Sequence, residues 1–391
     1  MIFSDIYLDD GWYIIANKFT EWFYSPRFVG GILKYSVCIL IGIVLAYFIC
    51  TKEGEKMGIK KEDVLTCCTF VVPLSILGAR IWYLLGDGDP LFQNYMTLAV
   101  DDLANVTFFT KIGAFFKALF YTLCYMIGFT GMPYDKSYYG ISGLAIHGGI
   151  FVAFLMTVIC CKWKKWKISI VSDMVAPGLL IGQICGRWGN FFNQEAHGMP
   201  IGGMKLNDTK TAYVALLDPE AQFSLMTKKY LIPKFIARFM YMEGEWNDIG
   251  TASGTMESLP IRSCSDTISG NFYHPTVLYE SLLNLLGLAL YFVLRRRKFT
   301  RSGYFAGFYL IWYGIVRFFI EIARMDSLYL KGTNIKMAQF TSIIMIVLGI
   351  LVVVYCRFIK KTDKYTEIIE NNKVKEETEN KEEEISVVDV K

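Results

Sequence analysis

Apolar residues along this chain come in runs about twenty residues long, separated by short basic clusters or by longer polar stretches. Seven runs stand out: approximately Gly31–Cys50, Val64–Leu85, Ile141–Cys161, Ile168–Phe191, Pro275–Leu294, Tyr304–Ala323 and Met337–Cys356. A helix rises 1.5 Å per residue, so about 20 apolar residues cross the hydrocarbon core of a bilayer. An eighth run, Phe108–Thr130, is interrupted by Lys111, Lys117 and glycines. It reads as an interfacial or loop helix. The pattern predicts an all-α polytopic membrane protein of about seven transmembrane helices.

The basic clusters orient it. Lys52, Lys56, Lys60 and Lys61 follow the first run, and Lys162, Lys164, Lys165 and Lys167 follow the third. Arg295, Arg296, Arg297, Lys298 and Arg301 follow the fifth, and Arg357, Lys360, Lys361 and Lys364 the seventh. Alternate loops share one side, and the positive-inside rule makes that side cytoplasmic. The N-terminus is then outside and the C-terminus in the cytoplasm. Counting the eighth run as a span would move the later clusters outside.

This divides the chain into an outer N-terminal segment (1–30), a membrane domain (31–357) and a charged tail (358–391). Two outer inserts interrupt the membrane domain, at about 86–140 and 199–273. The second is polar and without a clear period, which suits either a small folded cap or a loose loop. The tail is rich in Glu, Lys and Asn from Thr362 on, and its composition predicts disorder. The first residues carry early aspartates and no basic n-region, so they do not read as a cleaved signal peptide. No internal repeat is visible.

Composition changes the picture little. Of 391 residues, 53% are hydrophobic and 19% charged, against the two or three soluble domains that length alone would allow. A net charge of +4 is too small to imply nucleic acid. The ten cysteines lie mostly in or beside apolar runs, with no CxxC pair, and Cys264 stands in a long polar loop without an obvious partner. They read as small packing residues, neither a disulfide framework nor a metal site.

The informative residues are the polar ones inside the apolar runs. A charge at mid-bilayer costs roughly 2.5–3.5 kcal/mol on insertion scales, so it needs a partner or a task. Four segments gather such residues. In ICGRWGNFFNQEAHG, Arg187 lies fourteen residues after Asp173 on nearly the same helix face, and Asn190 is one turn on. Asn193, Glu195 and Gly198 follow where the helix ends. An Arg187–Glu195 structural pair is the plain alternative. In GLAIHGG, His147 precedes two glycines that allow close backbone approach or a helix break. A lone histidine is more often structural. In NFYHPTVLYE, Pro275 suits a first helical turn and Glu280 falls about one turn inside, which equally fits a buried, capped glutamate. In YLIWYGIVRFFIEIAR, Tyr313, Arg317 and Glu321 form one stripe at i, i+4 and i+8. An intrahelical Arg–Glu pair used for packing is the alternative, though an expensive one out of water. Arginine stays charged and grips phosphate oxygens in a fork, so Arg187 and Arg317 facing one cavity suggest a phosphate headgroup held at membrane depth.

Together these segments resemble the prolipoprotein diacylglyceryl transferase family of bacterial inner membranes. The resemblance is carried by HGG (His147–Gly149), GRWGNFFNQEAHG (Gly186–Gly198), HPTVLYE (His274–Glu280) and YGIVRFFIEIAR (Tyr313–Arg324), in that order. DMVAPG (Asp173–Gly178), GAR (Gly78–Arg80) and Tyr35 also fit. It implies a seven-span core and a multi-pass place in the bacterial cell membrane. It implies transfer of the diacylglyceryl group of phosphatidylglycerol to the lipobox cysteine of a prolipoprotein, releasing glycerol 1-phosphate, with no metal or nucleotide cofactor. Arg187 and Arg317 match positions thought to hold the lipid phosphate. His147, Asn190, Glu195, Gly198, Tyr313 and Glu321 match other motif positions, and Tyr35 matches in a looser context. Catalysis is expected of His147, Arg187, Arg317 and Tyr313. Lipid binding is expected of Tyr35, Arg187, Asn190, Glu195, Gly198, Arg317 and Glu321. Thr276 and Val277 stand where the family usually has Ser-Gln, and the outer inserts and acidic tail are additions.

A phospholipid or anion transporter would also bury arginines, but would show inverted repeats and broken helices in matched halves. A voltage sensor needs arginines at every third residue, which Arg317 and Arg324 do not supply. An enzyme-derived binding protein that has lost activity would be expected to have lost part of the motif set.

Overall fold

A computed structural model describes residues 28–29, 32–86, 107–126, 146–192, 196–206, 213–242, 378, and 271–374 apart from 296, 298, 326, 328, 331 and 332. The chain divides into two units, Met1–Gly58 with Ser172–Lys391, and Ile59–Val171. The first holds strands β1 (Phe28–Val29) and β2 (Ile32–Leu33) and helix α1 (Lys34–Lys56). The second holds α2 (Lys61–Gly86), α3 (Phe108–Met126) and α4 (Ile146–Trp163). Helix α5 (Ile168–Phe192) returns the chain to the first unit. There follow β3 (Met204–Leu206), β4 (Tyr213–Ala215), α6 (Pro219–Ser224), α7 (Lys234–Phe239), β5 (Tyr241–Met242) and β6 (Asn271–Phe272). Helices α8 (Thr276–Leu294), α9 (Tyr304–Ala323) and α10 (Met337–Val354) complete the bundle, and α10 runs on through a π-helical turn, Tyr355–Ile359.

The architecture is helical and polytopic, as the hydrophobic pattern predicts. Among the described residues, six helices are long and apolar enough to cross a membrane: Lys34–Lys56, Lys61–Tyr83, Ile168–Phe192, Thr276–Leu294, Tyr304–Ala323 and Met337–Ile359. The remaining predicted span is present as the shorter apolar helix α4. Its expected start, residues 141–145, lies outside the described residues. The eighth run forms α3 and is not among the six.

In the first unit the apolar faces pack through glycines. A β-carbon on Gly42 of α1 would come within 3.0 Å of Cys185 Cβ and 3.6 Å of Gly182 Cα on α5. Small residues let membrane helices approach this closely, which matters where no hydrophobic drive separates protein from lipid. Trp312 of α9 lies over Gly287 of α8 and donates its Nε1–H to the Leu283 carbonyl at 3.1 Å.

Asp173 explains the start of DMVAPG. It is fully buried, and its carboxylate accepts from the backbone N–H groups of Gly303 (2.7 Å), Phe305 (2.9 Å) and Ala306 (3.0 Å). These are first-turn donors of α9 that no intrahelical carbonyl can reach, and a carboxylate there also complements the helix dipole. Gly303 sits at φ 96°, the left-handed conformation that glycine takes at little cost. Asp173→Ala is therefore expected to destabilise the bundle by about 3 kcal/mol, because three buried donors lose a charged acceptor. Thermal unfolding in detergent measures it, and an unchanged midpoint would refute the role.

At this same end, the segment after α10 is structured where composition predicts disorder. The Ser302 N–H donates to Asp363 O (2.9 Å) and the Tyr365 N–H to Thr300 O (3.0 Å). Thr362 Oγ1 donates to Ser302 O (2.7 Å). Residues 365–374 are helical, and the buried Tyr365 hydroxyl donates to Glu53 Oε2 at 3.1 Å. Glu53 also pairs with Lys56 and Arg295. One buried tyrosine and a run of main-chain hydrogen bonds outweigh the charged composition for this part. Residues 379–391 lie outside the described residues, as does the N-terminal segment up to residue 27.

The second insert is a folded cap where it is described. β3 pairs antiparallel with β4, and β5 with β6. Asp218 caps α6 by accepting from Ala221 N at 2.8 Å. Buried Gln222 accepts from Phe272 N (2.7 Å) and donates to Asn271 Oδ1 (3.0 Å) and Leu217 O. Around this lock, Phe191, Ile201, Met226, Ala237, Met240 and Tyr273 form one core. Residues 243–270, including Cys264, lie outside the described residues.

In the second unit, a β-carbon on Gly78 would come within 3.0 Å of the Gly148 carbonyl and 2.8 Å of Val152 Cβ. The glycines of GAR and HGG thus serve close approach of α2 and α4, within an unbroken helix. Lys164 Nζ meets Asp63 Oδ1 at 2.7 Å where α4 ends and α2 begins. Cys67, Cys160 and Cys161 are buried here, and the described cysteines are all free.

Candidate active site

Three helices of the first unit converge on one carboxylate. Glu280, one turn into α8, is 1% exposed at its side chain. Arg187 of α5 meets its Oε1 at 2.8 Å, and Arg317 of α9 meets its Oε2 at 3.5 Å. Arg317 also meets Glu321 Oε2 at 2.7 Å, the i, i+4 pair that the stripe on α9 predicts. Arg324 approaches the same oxygen at 4.0 Å. Arg187 Nη1 donates to Asn190 Oδ1 across a long 3.5 Å, and Tyr313 lies beside Arg187. The Tyr313 ring stacks on Tyr309 at 6.0 Å with an interplanar angle of 2°.

The two carboxylates are sealed, whereas the Arg187 and Arg317 side chains keep 18% and 16% of their surface. Lys336 joins from the start of α10, donating to Glu321 O (2.7 Å) and Arg324 O (3.4 Å). Among the described residues, three guanidiniums and one ammonium stand against two carboxylates, an excess of two positive charges. Such a constellation is suited to a bound anion, since the buried carboxylates fix the arginines and leave part of each fork open. Lys336 is a cation that the motif reading missed. Its signal in the sequence is a lone lysine directly before an apolar run, a helix end that the dipole does not favour for a cation.

Gly198 stands where the chain ends of three motifs cross. Its N–H donates to the His274 carbonyl at 2.8 Å, the His274 N–H donates to Met199 O at 3.1 Å, and Gly198 bridges to Arg324. A β-carbon on Gly198 would come within 2.8 Å of Thr276 Cγ2, 2.9 Å of His274 Cβ and 3.1 Å of the Ala323 carbonyl. Gly198→Ala is expected to lower anion-dependent activity at least tenfold by pushing α8 from α9, with a loss of about 1–3 kcal/mol in stability. Activity and melting point at wild-type levels would contradict this crowding. Thr276 departs from the usual serine yet keeps the hydroxyl, which donates to Ala196 O at 2.6 Å. Val277 is buried in the cap core, so its departure from glutamine is a packing change.

Tyr35 packs on the GRWGNF helix. A β-carbon on Gly189 would come within 2.7 Å of its ring. Glu195 lies outside the described residues. His147 is the second residue of α4, exposed, in the second unit.

His274 lies just before α8. Its Nδ1 is 3.2 Å from the Tyr279 hydroxyl and its ring is 5.6 Å from that of Tyr230. Burial lowers its pKa from the ordinary 6.5. The fold therefore favours the neutral ring, and the unfolded chain takes up the proton first. This contribution is complete above about pH 6.5 and is lost as pH falls through that value toward the lowered folded value. Between about pH 7.5 and about pH 5.5 the melting point of the wild type is expected to fall more steeply than that of His274→Gln. Parallel slopes would contradict it.

Fold and site define a polytopic membrane protein with paired arginines and buried carboxylates clustered in its helix bundle. The chain belongs to the prolipoprotein diacylglyceryl transferase family, whose description matches residues 28–355. It is 31% identical over 332 residues to a phosphatidylglycerol–prolipoprotein diacylglyceryl transferase of Lysinibacillus sphaericus, covering 85% of this chain and 90% of that one. It is 31% identical over 334 residues to the protein so named in Streptococcus sanguinis, covering 85% and 94%. With that of Staphylococcus haemolyticus it shares 28% identity over 367 residues, 94% and 95% of the two chains.

Proposed function

We propose that this protein transfers the diacylglyceryl group of phosphatidylglycerol to the lipobox cysteine of prolipoproteins, in a bacterial plasma membrane. The observation that carries this reading is the arginine pair, Arg187 and Arg317, fixed from different helices on the buried Glu280 with excess positive charge around it. The names of the relatives supply the two substrates. The alternating basic loops support an outside N-terminus and a cytoplasmic C-terminus, and with them an outer face for Gly198 and the cap.

In the proposed reaction the lipid phosphate lies against Arg187 and Arg317. The substrate thiol gives up its proton and attacks the glycerol carbon that bears the phosphate. A C–S bond forms and the C–O bond breaks, with its electron pair leaving on the oxygen of glycerol 1-phosphate. Free cysteine has a pKa near 8.5, so a base assists. His147 takes this role on the strength of its HGG motif. The arginines stabilise charge growing on the leaving phosphate in a low-dielectric site. Tyr313, beside Arg187, donates a hydrogen bond to the leaving group. Glu280 and Glu321 hold the guanidinium planes, and Asn190, Glu195, Gly198 and Tyr35 shape the headgroup site. Lipobox-peptide-dependent release of glycerol 1-phosphate tests the reaction, because a transporter forms no product. Absence of that release from folded protein would overturn it, and a fully active His147→Gln would remove histidine from the scheme.

A further inference from the structure

One helical turn from the arginine layer, away from Gly198 and the cap, lies a second polar layer that the headgroup chemistry does not use. Each member follows from its neighbour by i±4: Gln183 from Arg187 on α5, Asn284 from Glu280 on α8, and Tyr309 from Tyr313 on α9. Gln183 Nε2 donates to the Tyr309 hydroxyl at 2.8 Å. Neighbouring contacts fix where Asn284 faces. Ser281 Oγ reaches the Ile184 carbonyl at 3.4 Å, and Leu288 clusters with Leu180, Ile181 and Tyr309. Asn284 lies between Ser281 and Leu288 along α8, on the face they share with Glu280, at the level of Gln183 on α5. At that level a β-carbon built on Gly182 would meet nothing within 4 Å.

This layer has unmet hydrogen-bonding capacity. Asn284 is fully buried, and among the described residues neither its Nδ2 nor its Oδ1 has a partner. Gln183 Oε1 is buried and likewise without one among the described residues. Polar groups left unpaired in an apolar interior are strongly disfavoured, and more so at membrane depth. An amide retained there calls for something to bond.

We propose that the Gln183–Asn284–Tyr309 layer is a subsite for the acyl-ester region of the lipid, with the Asn284 amide donating to an ester carbonyl. This rests on the proposed lipid substrate. In a glycerophospholipid the ester carbonyls lie on the glycerol, just inside the phosphate, and one turn of helix is about 5.4 Å. A phosphate on Arg187 and Arg317 thus sets the esters at the second layer. Holding both ends of the glycerol unit fixes the carbon under attack, an orientation that the arginines alone do not set. The subsite makes the protein selective for diacyl over dialkyl lipids, because an ether leaves the amide unpaired.

The test is a comparison of transfer from diester and diether phosphatidylglycerol of equal chain length, in mixed detergent micelles with a lipobox peptide. The wild type is expected to favour the diester about tenfold in kcat/KM, the value of one buried hydrogen bond. Asn284→Leu is expected to bring the ratio near one. Asn284→Ala is read in the same way if the leucine variant fails to fold. Equal use of the two lipids by the wild type would overturn the subsite, as would a tenfold preference that survives in the folded variant. In either case a purely structural or water-filled layer is the outcome. No transfer from the diester lipid by the wild type would instead count against the substrate itself.

Discussion

Arg187→Ala is expected to lower diacylglyceryl transfer by about 100- to 1000-fold while the protein still folds. The magnitude follows from removing one preorganised cation from a site where charge develops on a leaving group. Retention of the fold follows from the geometry. Glu280 keeps its second partner, Arg317, so no buried carboxylate is stranded. The loss should fall mainly on kcat if the arginine acts on the leaving phosphate, and on KM if it only holds the ground state. Arg187→Lys should recover little, because a point charge does not reproduce the two-pronged grip. Steady-state kinetics with purified variants decide this, and turnover within a few-fold of wild type would remove Arg187 from the chemistry.

Glu280→Leu is expected to carry the largest loss of stability at the site, about 3–5 kcal/mol, together with the loss of activity. Among the described residues Glu280 is the carboxylate that both arginines share, and it is sealed from solvent. Without it both guanidiniums lose a buried counter-charge, and Arg317 keeps Glu321. Glu280→Gln keeps the shape and should fall between wild type and leucine in melting temperature. Thermal unfolding in detergent, read beside turnover, separates this effect from that of Arg187→Ala. A stable, inactive Glu280→Leu would mean that the carboxylate serves chemistry alone, and a stable, active one would dissolve the network as an explanation.

Much of this was legible in the chain because the relevant periods are short. The i, i+4 stripe Tyr313–Arg317–Glu321 reads directly from helical geometry and reappears as the 2.7 Å Arg317–Glu321 pair. The apolar runs gave the helices, although α1 extends past its predicted end to Lys56 because a helix continues through polar residues once nucleated. What could not be read was the crossing of elements far apart in sequence. Nothing near Asp173 announces that it caps α9, 130 residues on. Lys336 is placed against Glu321 and Arg324 by the packing of α10 on α9, a tertiary fact. The fold of the second insert rests on Gln222 locking β6 about 50 residues later, which no local pattern encodes. Tyr365 is ordered by a partner, Glu53, 312 positions earlier, so composition alone misjudged the start of the tail.

The most direct measurement is the product itself. The protein is purified in detergent and given phosphatidylglycerol and a lipobox peptide with a free cysteine, and the peptide is weighed by mass spectrometry. The account predicts a diacylglyceryl adduct that is absent with a Cys→Ser peptide and strongly reduced with Arg187→Ala. No adduct from well-folded wild-type protein, across several lipids and peptides, would contradict it.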